Sequence, residues 1–99
     1  MSKTSKMFAP LPPTYVPEIR RQTMGRMFGF FIRETRKSTG LSIEDAAHLS
    51  GMELTEWMVI ENGTVPQDIN RLRAMAEVIQ INFDTIASMV LVCRGAWEL

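Results

Sequence analysis

The chain has one cysteine, one histidine, no long apolar run and no net charge. With Cys93 alone no intrachain disulfide can form, and a reducing cytoplasm is the expected setting. Cys93 follows Met89, Val90, Leu91 and Val92, an apolar context that predicts an inert, buried thiol and not a nucleophile. His48 has no second ligand near it in sequence. No phosphate-cradling glycine loop, paired metal ligands or nucleophile with its base is recognisable either, so no enzyme, cofactor or metal site is expected. No stretch approaches the ~18 to 20 apolar residues that span a bilayer. Lys3 and Lys6 lead into Pro10, Pro12 and Pro13 instead of an apolar export segment, so secretion is not expected.

The zero net charge conceals a polarity. Residues 1–40 carry eight basic groups (Lys3, Lys6, Arg20, Arg21, Arg26, Arg33, Arg36, Lys37) and two acids, giving +6; the remainder carries three basic groups and nine acids, giving −6. Such asymmetry points either to a charged partner for one end or to basic and acidic elements lying beside each other within the fold. The stretch from Gly40 to Gly63 is the extreme case, with Glu44, Asp45, Glu53, Glu56 and Glu61 and neither Lys nor Arg.

What is present is helical patterning. A chain of 99 residues suits one domain with a modest core. Residues 1–16 hold three of the five prolines with Lys3 and Lys6 and predict a flexible, basic, extended arm, leaving 17–99 as the folded domain with its C-terminal helix and tail. A helix is expected from Pro17 or Thr23 to about Ser38, with Phe28 and Ile32 inward and a break near Gly25. Ser42 is an N-cap candidate with Asp45 three residues on, followed by Ala46, Ala47 and Leu49 as an apolar face. Gly51 marks a sharp turn. Met52, Trp57 and Ile60 form the inward stripe of a next helix that Asn62 and Gly63 terminate. Asp68 caps a fourth helix facing inward with Leu72, Met75, Ala76 and Ile79, and Asn82 caps a fifth carrying Phe83, Ile86, Met89 and Val90. The expectation is a compact, all-α, five-helix domain with an extended N-terminal arm.

From Phe28 to Ile86 the ordered set Phe28-Gly29, Ile32-Arg33, Arg36, Gly40-Leu41-Ser42, Ala47, Gly51-Met52, Trp57, Ile60-Glu61, Gly63, Pro66, Leu72, Met75-Ala76 and Ile79 resembles the Cro and lambda-repressor type of helix-turn-helix domain, the XRE family. The resemblance implies a lambda-repressor-like fold and a bacterial or phage transcription regulator, binding duplex DNA as a homodimer with its third helix in the major groove. Carried onto this chain, the base-facing and groove-flanking positions are Ile43, Glu53, Leu54, Thr55, Met58 and Val59. Ser42 and Asn62 would add neutral hydrogen bonds. Lys3, Lys6, Arg33, Arg36 and Lys37, with Arg71 or Arg73, would meet phosphates.

Because Leu54, Met58 and Val59 stand where polar readers are usual, a second expectation keeps the fold and changes the partner. The unit would then bind another protein, as an antiactivator or antitoxin-like module does, through helix 3 or the aromatics. For the homodimer, Phe30, Phe31, Val90, Trp97 and Leu99 are the interface candidates, since the core does not call for them.

Overall fold

A computed structural model describes residues 18–95. The arm with Lys3 and Lys6, and the tail with Trp97 and Leu99, lie outside the described residues. Five helices follow one another: α1 (Glu18–Ser38), α2 (Ile43–Ser50), α3 (Leu54–Glu61), α4 (Ile69–Val78) and α5 (Phe83–Gly95). Among the described residues there is no strand. The main packing pairs are α1 with α3, α3 with α2, α2 with α4, α4 with α5 and α5 with α1, so the helices close a ring around one core.

That core consists of the residues whose spacing announced it. Phe28, Ile32, Ala46, Ala47, Met52, Trp57, Ile60, Leu72, Met75, Ala76, Ile79, Ile86, Val90 and Cys93 are all buried. Burial pushes the Cys93 thiol pKa up, favouring the protonated form. Two expectations fail here. Leu49 points to solvent at 61 % exposure, because α2 buries only Ala46 and Ala47. Val90, expected at a subunit interface, is inside the core at 5 % exposure.

The expected break at Gly25 does not occur; α1 is continuous through Gly25 and Gly29. The cause is packing. Gly25, Phe28, Gly29, Ile32 and Arg36 are the buried side of α1, and its two glycines lie against the backbone that ends α3. A Cβ at Gly25 would overlap the Gly63 carbonyl, and one at Gly29 would stand 2.5 Å from the Glu61 carbonyl oxygen and 2.7 Å from that of Ile60. The helical cost of glycine, about 1 kcal/mol at each position, is offset by this close approach.

Candidate recognition surface

The surface is built on α2, its turn and α3. Ser42 caps α2 as expected, its Oγ accepting the Asp45 N–H at 3.0 Å. Gly51 takes the left-handed conformation, φ 73°, and directs Met52 N–H back to the Ala47 carbonyl at 2.9 Å. At the start of α3 the Glu56 carboxylate reaches back to accept the Glu53 N–H at 3.2 Å. At its end Thr64 N–H donates to the Val59 carbonyl at 2.9 Å beyond Asn62 and Gly63.

From behind, α3 is anchored by a buried polar cluster. Trp57, fully buried, donates its indole N–H to Glu61 Oε2 at 2.5 Å. Arg36 of α1 grips the same carboxylate with both arms of its fork, Nε to Oε2 at 2.6 Å and Nη2 to Oε1 at 3.1 Å, while Nη1 donates to the Leu41 carbonyl at 2.9 Å. The hydrogen-bonded Glu61 holds the Arg36 pKa above its ordinary value despite the opposing effect of burial. Arg36, expected to meet phosphate, is therefore withdrawn from the surface: its charge is spent on joining α1, the turn before α2 and α3. No buried side-chain nitrogen or oxygen among the described residues lacks a partner.

In front, α3 is open. Leu54, Met58 and Val59 are 39 %, 43 % and 48 % exposed, and Thr55 and Asn62 are exposed beside them. The two sides follow from one period, with Trp57, Ile60 and Glu61 turned inward. Ile43, expected at the same face, is half-buried and packs on the core instead. Ser42 is exposed, with its oxygen engaged as the cap.

The acids divide into two groups. Glu61 is neutralised by Arg36, and Glu56 by Arg71 of α4. Glu44, Asp45 and Glu53 remain exposed at the starts of α2 and α3, where the helix dipoles favour them. Of the basic residues expected to flank the surface, Lys37 is exposed and Arg33 is half-buried, lying 5.7 Å over the Phe30 ring and 3.9 Å from Glu34. Arg73 covers the Phe83 ring at 4.5 Å. Phe30 itself is 56 % exposed, while Phe31 packs partly against the core.

Two features escaped the sequence reading: the Arg36–Glu61 clasp and the seating of α1 glycines on the end of α3. A signal for the first exists, since Glu61 falls on the inward stripe with Trp57 and Ile60, and a buried carboxylate demands a cation.

The described residues thus define a small all-α domain with a two-helix unit presented at its surface, and no helix among them is long and apolar enough to cross a membrane. No family model matches the chain, and neither a curated protein nor a solved structure matches it.

Proposed function

We propose that the protein is a helix-turn-helix regulator that binds duplex DNA as a homodimer in a cytoplasmic setting, with α3 as the element entering the major groove. The observation that carries this reading is the two-sidedness of α3: clamped from behind by Trp57, Glu61 and Arg36, uncovered in front at Leu54, Thr55, Met58 and Val59. A helix that reads base edges has to be rigid and accessible at once. Thr55 supplies a hydroxyl donor and acceptor, and Leu54 and Val59 supply apolar contact suited to thymine methyls. Phosphate contacts fall to Lys37 and Arg33, with Lys3 and Lys6 of the arm. Internal neutralisation of Glu56 and Glu61 lowers the electrostatic cost of approaching phosphate. With Val90 withdrawn, the apolar groove between α1 and α5, lined by Met24, Met27, Met89 and Val92, is the surface for two-fold pairing.

A mobility-shift titration at low salt against the DNA upstream of the protein's own gene tests this. Binding that falls steeply with salt and is weakened by Thr55→Ala and Lys37→Ala is the expected result. Absence of any duplex binding at low salt removes the proposal. The exposed apolar trio Leu54, Met58 and Val59 favours a second reading, in which α3 docks on another protein. A photo-reactive residue at position 58 separates the two, since it cross-links in its native host to DNA in the first case and to a polypeptide in the second.

A further inference from the structure

The outward side of α1 is as ordered as its buried side. Ile19, Thr23, Arg26, Phe30, Arg33 and Lys37 recur at spacings of four and three residues and so form one stripe along the helix. Ile19 and Phe30 are 75 % and 56 % exposed, and Met27, 61 % exposed, borders the stripe. Thr23, Arg26, Met27 and Phe30 line a shallow depression of about 390 Å³ on this face. Glu34 is the one acid at its edge, and it stands 3.9 Å from Arg33. The stripe is therefore apolar at its centre and cationic through Arg26, Arg33 and Lys37.

The α2–α3 unit of the same chain presents the opposite. Leu54, Met58 and Val59 form its apolar centre, and its exposed charges are Glu44, Asp45 and Glu53, all negative. Both faces belong to one chain, on different elements. Each offers what the other needs: exposed apolar side chains on both, cations against carboxylates, and a depression on one face for a protruding Leu or Met on the other.

We infer that a second copy of this chain is the occupant of both faces: the α1 stripe of one copy docks on the acidic, apolar face of α2 and α3 of the next. The contact we infer is head-to-tail, joining two different surfaces and leaving one face of each kind open at the ends of an assembly. It extends into chains or closes into rings beyond a dimer. It also covers Leu54, Met58 and Val59, which makes α3 inaccessible to any other partner in the assembled form. The contact gives the three exposed acids a use that phosphate does not, because here they attract. It stands independently of the DNA reading, since neither face needs a nucleic acid to be complementary to the other.

Sedimentation equilibrium of the full chain tests it. At low ionic strength the mass is expected to rise past that of a dimer with increasing concentration, and to fall back at about 0.5 M salt as screening shortens the reach of the charges. Reversing the α1 stripe (R26E/R33E/K37E) and reversing the other face (E44K/D45K/E53K) should each weaken growth beyond a dimer by roughly a hundredfold, because like charges then oppose. The neutral variant E44Q/D45N/E53Q, gentler on the helix starts, should weaken it by roughly tenfold. Equal amounts of the two reversed variants, mixed, should restore growth beyond a dimer in an alternating assembly, because the stripe of each variant is then opposite in charge to the α2–α3 face of the other. A dimer that does not grow, self-association indifferent to the changes at positions 44, 45 and 53, or reversed variants that stay apart when mixed would each overturn the inference. Helical circular dichroism and cooperative urea unfolding establish that each variant is folded.

Discussion

Glu61 ties α3 to α1 in the interior. Its two carboxylate oxygens take hydrogen bonds from Trp57 Nε1 and from Arg36 Nε and Nη2, and both partners are buried. Removing it leaves a guanidinium and an indole N–H without an acceptor in the interior, and the remaining charge is the larger penalty. Glu61→Ala is expected to destabilise the domain by about 3 to 5 kcal/mol, enough to unfold much of it given the modest stability of small domains. Urea denaturation followed by helical circular dichroism measures this. The double change Arg36→Met with Glu61→Leu should cost markedly less than the two single changes added, because no orphaned charge remains. A loss below about 1 kcal/mol for Glu61→Ala would show that the clasp is not what anchors α3.

At the scale of elements, the helix boundaries were legible because they are local chemistry. Ser42, Asp68 and Asn82 each place a side-chain oxygen within three residues of the N–H they accept, and Gly51 turns the chain where its neighbours in sequence require it. Packing between elements was not legible in the same way. A glycine in a helix reads as a weakness until its neighbour in space is known, and for Gly25 that neighbour is the carbonyl of Gly63, far along the chain. Leu49 illustrates the converse: helical spacing offers it to the core, but α2, packed on α3 and α4, buries only Ala46 and Ala47. Gly29→Ala discriminates between the propensity and packing accounts. Propensity alone would make it stabilising by about 1 kcal/mol. Packing against the Glu61 and Ile60 carbonyls should instead make it destabilising by about 1 to 3 kcal/mol, because the obstructing atoms are backbone and cannot swing aside. The sign of the shift in the urea midpoint decides.

At the scale of the whole molecule, charge and apolar exposure divide between two faces, and only one of them was visible beforehand. The acids from Gly40 to Gly63 could be counted in the sequence, but that two of them are neutralised by Arg36 and Arg71 while three stay outside depends on the closed ring of helices. The candidate face was legible at Leu54, Thr55, Met58 and Val59, where helical period alone separates outside from inside, and misjudged at Ile43 and Arg36, where the third dimension turned the side chain inward. Both proposed partners of α3, a duplex and a second copy, use the same exposed side chains and have opposite charge. A single added cation at the centre of the face should therefore move the two affinities in opposite directions. Met58→Lys, at a position 43 % exposed and outside the core, is expected to tighten duplex binding several-fold and to steepen its logarithmic salt dependence by about 0.9, the value of one further phosphate contact. The same substitution should weaken head-to-tail assembly several-fold, because a lysine then meets Arg26, Arg33 and Lys37. Mobility shift and sedimentation on the one variant read both quantities. If the two affinities moved together, α3 would not be the face shared by the duplex and the second copy.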